Sequence, residues 1–196
     1  MAPGLQLNDC PRLRRWTRRE YDHLIELGFF GGERLELLDG VLAVREPQGS
    51  RHATGVRLVM DTLRAALGSA WRVDSQLPIA LDDESEPEPD VSVVPAGPRL
   101  YRDAHPSAPR LVVEIAESSY RIDRHYKSSL YARAGVPEYW IVDVVNDRVE
   151  VHREREASSE AAVGWRYRNV VVLDHASTVT PLVAPGVTIA AADLLP

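Results

Sequence analysis

Three side chains in this 196-residue chain stand in settings that folding alone does not require. Asp90 follows Pro89 at the mouth of the apolar run VSVV. Glu114 lies inside LVVEI, with apolar residues on both sides. Lys127 is the one lysine among 23 lysines and arginines. A carboxylate inside a buried strand is costly unless it is paired, protonated or bound to a metal. Two carboxylates converging from neighbouring strands suit a hard divalent cation such as Mg²⁺ or Mn²⁺, which takes oxygen ligands. A backbone carbonyl, for instance that of Ile115, could complete the set. Lysine offers what arginine does not, a compact ammonium that can orient or deprotonate a water.

Each residue also has a plainer reading. Glu114 could pair with an arginine, Asp90 could cap a turn, and Lys127 could pair with Asp123 four residues earlier on a helix. An arginine would serve that last purpose equally well, and this chain otherwise writes arginine. Other chemistries lack their residues. The sequence has no glycine-rich phosphate loop and no G-x-S-x-G elbow. Its six histidines are scattered, with no pair at zinc spacing, and the single cysteine, Cys10, excludes a disulfide framework and a cysteine-based zinc site.

The elements that must position these residues follow from periodicity. Thr17 and Glu20 form a capping box that opens a short helix ending at Gly28. RLELLDGVLAVRE reads as two strands about an Asp39-Gly40 turn, with Leu35 and Leu37 on one face and Glu36 on the other. Val56, Val59, Met60, Leu63 and Leu67 mark a helix between Gly49 and Gly68. WRVDSQLPIAL, VSVVP and RLVVEIA read as strands. SSYRIDRHYKSSLYARAG reads as a helix with Ile122, Tyr126, Leu130 and Ala134 on one face and Asp123, Lys127 and Tyr131 on the next. EYWIVDVV and RVEVHRE form a hairpin about Asn146-Asp147, and RYRNVVVL and the tail add further strands. The order predicts one α/β or α+β domain with a mixed sheet and helices against it. The N-terminal helix and hairpin and the C-terminal strands read as additions to that core.

In order and spacing, RLELLDGVL, a helix opened by His52, EPDVSVV, LVVEIAESS, DRHYKSSLYARAGVPEYWIVD and VEVHR resemble the PD-(D/E)xK nuclease superfamily. More narrowly, they resemble a large bacterial family of restriction-endonuclease-like proteins. The resemblance spans residues 34–153. It implies a restriction-endonuclease-like core and a metal-dependent endonuclease that hydrolyses DNA phosphodiester bonds. Asp90 matches the first carboxylate and Glu114 the second. The superfamily's lysine is absent two positions later, where Ala116 stands, and the narrower family places it on the following helix, at Lys127. The resemblance implies Mg²⁺ or Mn²⁺ held by Asp90, Glu114 and the Ile115 carbonyl, with Lys127 positioning the attacking water. It implies supporting roles for Glu36, His52 and Asp123. Tyr131, Tyr139 and Trp140 read as core, and Asp143 as either a strand-end charge or a supporting acid.

Two further readings stay open: a non-catalytic nuclease-fold binding module, and a metal hydrolase of another phosphoester. A net charge of −6 disfavours non-specific coating of nucleic acid, which needs clustered cations. Arg12, Arg14, Arg15, Arg18 and Arg19 cluster near the N-terminus, where residues 1–15 read as a flexible arm, either solvated or in contact with nucleic acid. No apolar run reaches membrane-spanning length and no signal peptide opens the chain, so a cytoplasmic setting is expected. A homodimer is expected if both strands of a duplex are cut, and VTIAAADLL could pack into the core or across that interface.

Overall fold

The computed structural model describes residues 14–45, 47–97 and 99–196. Cys10 and most of the expected N-terminal arm lie outside the described residues. Of that arm, Arg14 pairs with Glu20 and Arg15 with Asp39. Helix α1 (Arg18–Glu26) begins at the predicted capping box, with Thr17 and Glu20 bonding reciprocally. Strands β1 (Leu35–Leu38) and β2 (Val41–Val44) form the predicted hairpin. Its turn residues, Asp39 and Gly40, both have positive φ, as a primed hairpin turn requires. All four β1 residues are buried, Glu36 included. Leu37 exchanges backbone hydrogen bonds with Glu86, which ties the hairpin to the segment leading into Asp90.

Helix α2 (Ser50–Leu67) is followed by β3 (Trp71–Asp74), β4 (Val91–Pro95) and β5 (Leu111–Ala116). The chain then crosses over through α3 (Tyr120–Ile122), a π-helical turn (Asp123–Lys127) and α4 (Ser128–Arg133). Strands β6 (Glu138–Asp143), β7 (Arg148–Ala157) and β8 (Trp165–Leu173) follow. One six-stranded sheet has the order β3-β4-β5-β6-β7-β8. Its one parallel pair is β5–β6; the other neighbours are antiparallel. That parallel step is why a helical crossover must lie between them. Short strands β9 (Thr178–Val179) and β10 (Ile189–Ala190) close the chain.

Both faces of the sheet are covered. Val56, Val59 and Leu63 of α2 pack with Val113, Ile115, Trp140 and Val142. Tyr131 and Ala132 of α4 pack on the other face with Val112, Ala116, Tyr139 and Ile141. Strand alternation therefore puts Glu114, which shares a face with Val112 and Ala116, beneath the crossover helix that carries Lys127.

The structure departs from the periodicity in three places. Of WRVDSQLPIAL, only Trp71–Asp74 is a strand. Gln76 turns to positive φ and Pro78 has no amide to donate, so the segment bonds irregularly, Ile79 N to Pro87 O and Leu81 N to Ser85 O. In the crossover helix the expected apolar face is buried only toward its C-terminal end, where Leu130 is fully covered. Ile122 is exposed, while Asp123, Lys127 and Tyr131 are buried; Lys127 and Tyr131 bond the carboxylates of β5 and β1, and Asp123 accepts from Ser119. The C-terminal strands β7 and β8 are not additions, since they complete the central sheet. The apolar C-terminal segment resolves toward the core: Ile189, Ala191, Leu194 and Leu195 join the cluster beneath α2.

Candidate active site

Asp90 precedes β4 and Glu114 lies on β5, and the two strands pair antiparallel with Val91 opposite Val113. This register brings the carboxylates side by side. The Asp90 amide donates to Glu114 Oε2 at 3.3 Å, and the Ile115 amide donates to Asp90 Oδ2 at 2.9 Å. Lys127 reaches down from the crossover. Its Nζ lies 3.1 Å from Glu114 Oε1 and 3.1 Å from Glu36 Oε1. Tyr131, one helical turn on, donates to the same Glu114 oxygen at 2.7 Å. The π-helical turn ends at Lys127 itself, in keeping with the habit of such turns to sit at functional positions.

His52, in the first turn of α2, completes the inner set, its Nε2 standing 2.9 Å from Asp90 Oδ2. The six residues singled out in the sequence do not play equal parts. Asp90, Glu114, Lys127, Glu36 and His52 form one contact network. Asp123 lines the same cleft but accepts from Ser119 Oγ at 2.6 Å instead of binding Lys127 directly. Asp143 stays apart: it caps the β6–β7 turn through the amides of Val145 and Asn146 and pairs with Arg148.

Two residues the sequence did not flag also reach Asp90. Arg45 NH2 lies 3.4 Å and Gln48 Nε2 3.3 Å from Asp90 Oδ1, and Arg45 NH1 is 2.8 Å from Glu88. They sit on the connection from the hairpin to α2, where no periodicity marks them. Tyr131 is a core residue, as the sequence predicts, and its hydroxyl also donates to Glu114. The walls enclose a cleft of about 290 Å³, with Arg45, Gln48, His52, Glu117 and Ser119 around Asp90, Glu114 and Lys127.

The cleft is rich in carboxylates, and burial dominates their protonation. Burial pushes the Glu114 carboxyl above its usual range; Lys127 opposes this, and Asp90, Asp123 and Glu36 add to it. Burial also acts against the Lys127 charge, but the carboxylates of Glu114, Glu36, Asp123 and Asp90 outweigh it and hold the amine as an ammonium. At Asp90 the cost of burial is overcome by His52, the Ile115 amide and Lys127, which keep the carboxyl below its ordinary value.

The donor set fits a hard cation. Each carboxylate has one oxygen engaged by close donors and one with only long contacts, Oδ1 of Asp90 and Oε2 of Glu114. Among the described residues no group of three or more His, Cys, Asp or Glu is arranged to hold a metal. A cation here would rest on two carboxylates and fill its remaining positions with water or backbone oxygen, as Mg²⁺ commonly does.

A family described as "Putative restriction endonuclease" (Uma2) matches residues 18–192 of the chain. Among solved structures, the chain is similar to a protein from Anabaena variabilis ATCC 29413 described as "a putative nuclease belonging to DUF820". The two share 18% identity with a TM-score of 0.65, over 83% of this chain and 89% of the other. That likeness concerns the fold. None of the curated proteins matches the chain. Among the described residues, no helix is long and apolar enough to cross a membrane.

Proposed function

The chain belongs to the Uma2 family of nuclease-like proteins, and from that premise we propose that its cleft hydrolyses phosphodiester bonds of DNA with Mg²⁺ or Mn²⁺. The observation that carries this reading is the convergence of Asp90, Glu114, Glu36 and Lys127 within contacts of 3.1–3.3 Å at the floor of one cleft.

In this reading Asp90 and Glu114 hold the cation, with the Ile115 carbonyl as a further oxygen. A divalent ion so held supplies a polarised phosphate and a water of lowered pKa. The chain's own groups do the rest. The ammonium of Lys127 orients the attacking water and offsets negative charge growing on the phosphate. Its raised pKa suits it to that role and not to that of a base. Glu36 and Tyr131 fix Lys127 and Glu114 relative to each other. His52 fixes Asp90 from the α2 side. Asp123 adds negative charge beside Lys127.

The test is calorimetric titration of Mn²⁺ and Mg²⁺ into the wild type and a Glu114→Ala variant, each checked for folding by circular dichroism, followed by a plasmid-nicking assay. The expected result is binding and nicking in the wild type and neither in the variant. Nicking that survives Glu114→Ala or Lys127→Ala in a folded protein overturns the site. A folded wild type that neither binds metal nor nicks DNA points instead to a non-catalytic nuclease-fold module.

A further inference from the structure

Among the described residues, two lysine or arginine side chains line the cleft, Lys127 and Arg45. Carboxylates outnumber them: Glu36, Asp90, Glu114, Glu117 and Asp123 line it too. Lys127 is held 3.1 Å from both Glu36 and Glu114. Arg45 is held differently. Its amide donates to Arg34 O at 2.8 Å, which continues the β1–β2 hairpin by one pair. Its side chain is only 10% exposed. NH1 lies 2.8 Å from Glu88 Oε2, and Arg34 approaches the same oxygen at 3.2 Å. NH2 reaches Asp90 Oδ1 at 3.4 Å, beyond the usual length of a hydrogen bond. Glu88 thus fixes the guanidinium firmly, while its other arm stays loosely engaged at the oxygen that a cation would take.

A divalent cation on Asp90 Oδ1 and a guanidinium at the same oxygen are like charges in a buried place, where salt and water screen them little. An anion between them reverses the sign, since it attracts both. We propose that Arg45 is the substrate-phosphate ligand of this cleft. When the cation takes Asp90 Oδ1, NH2 passes to a non-bridging oxygen of the phosphodiester, and NH1 keeps Glu88. This assignment rests on the hydrolytic reading of the cleft and adds a coupling to it. Arg45 opposes the cation alone and favours cation and phosphate together, so metal and DNA bind cooperatively. Arginine suits the place because its planar fork serves Glu88 and a phosphate at once, which a single ammonium does not. Gln48, the other donor at 3.3 Å from Asp90 Oδ1, is neutral and has no such conflict with a cation.

The experiment compares the full-length wild type, Arg45→Met and Arg45→Lys, each checked for folding by circular dichroism. Calorimetry reads the affinity for Mn²⁺ alone. Fluorescence anisotropy reads the affinity for a short labelled DNA duplex over a range of salt, with Ca²⁺ in place of Mn²⁺ so that the DNA is held and not cut. Arg45→Met should bind Mn²⁺ at least as tightly as the wild type, because the competing cation has gone. It should bind the duplex about tenfold or more weakly, with a slope of log affinity against log salt smaller by about one. Arg45→Lys should keep the wild-type affinity for Mn²⁺ and lose most of the affinity for the duplex; it carries the same test should Arg45→Met fail to fold. Weaker Mn²⁺ binding in folded Arg45→Met overturns the proposal, since Arg45 would then merely hold Asp90 in place. Duplex affinity and salt slope that match the wild type overturn it as well. If Arg45→Met nicks plasmid DNA at the wild-type rate, the assignment of Arg45 falls and the hydrolytic reading stands. If the wild type binds neither Mn²⁺ nor the duplex, both fall.

Discussion

Replacing Lys127 by Met removes the one ammonium that stands between Glu114 and Glu36, 3.1 Å from each. Methionine keeps the length of the side chain, so the packing loss is small and the effect is electrostatic. Removing one partner of a buried ion pair costs about 3–5 kcal/mol, because the remaining charge is left without compensation. Glu114 keeps its bonds from Tyr131 and the Asp90 amide, which favours the lower half of that range. At about 2–4 °C per kcal/mol for a chain of this size, the melting temperature should fall by roughly 6–16 °C. The sign of its pH dependence follows from the carboxyls. Without the ammonium, the folded-state pKa of Glu114 rises further above its unfolded value. The folded state then binds more protons than the unfolded one, and stability falls as pH rises. Because Glu114 is already raised to about 8 with the ammonium present, the deficit of the variant should be smaller near about pH 6 and larger near about pH 9, where the wild-type carboxyl ionises and that of the variant does not. Added Mn²⁺ should recover part of it, and should raise the melting temperature of the variant more than that of the wild type, since the competing cation has gone. The assay is differential scanning fluorimetry at the two pH values with and without Mn²⁺. An unchanged melting temperature at the higher pH, or a deficit larger at the lower pH, would refute the electrostatic account of Lys127.

Other positions give independent checks. Burial pushes Glu86 up to about 7 from 4.5, and among the described residues its Oε2 has no hydrogen-bond partner. An acid with a raised folded pKa loses stability as pH rises between its two values, here about 2.5 units or ~3.4 kcal/mol. Glu86→Gln should therefore raise the melting temperature near pH 8 and change it little near pH 4, as read by thermal melts. Glu150 shows the opposite sign: burial opposes its charge, but His152, Tyr120 and Arg124 bring it down to about 2 from 4.5. Its contribution is present above about pH 4.5 and should be lost, by up to ~3.4 kcal/mol, as the pH falls toward 2. Glu150→Gln should flatten that acid limb in denaturation curves. At Gly55 of α2, an added Cβ would meet Ile115 Cγ2 at 3.1 Å. Gly55→Ala should cost about 1–3 kcal/mol by overpacking, measurable by urea unfolding. By pushing α2 off β5 it should also weaken the His52–Asp90 contact and any Mn²⁺ binding seen by calorimetry.

Much of the molecule could be read from local pattern. The Thr17–Glu20 capping box, the Asp39-Gly40 turn, the apolar stripe of α2 and the buried runs VSVVP and RLVVEIA depend on interactions between near neighbours, and each formed where the periodicity placed it. Chemical cost also marked residues directly. A carboxylate amid valines and a single lysine in an arginine-rich chain are anomalies visible without coordinates. What the sequence lacked was any measure of which distant anomalies meet. Strand register alone set Asp90 beside Glu114, and strand alternation alone aimed Glu114 at the crossover helix. Glu36 joined them because its hairpin is tied to Glu86 by backbone bonds across nearly fifty residues. The crossover helix buries Leu130 of its apolar stripe but leaves Ile122 exposed and turns Lys127 inward, where Glu114 and Glu36 pair with it. Arg45 and Gln48 lie in irregular chain between a strand and a helix, where no period exists to reveal them. Residue types and local spacing thus determined the elements and the suspect side chains. Long-range backbone pairing, which has no local signature, decided that they share one cleft.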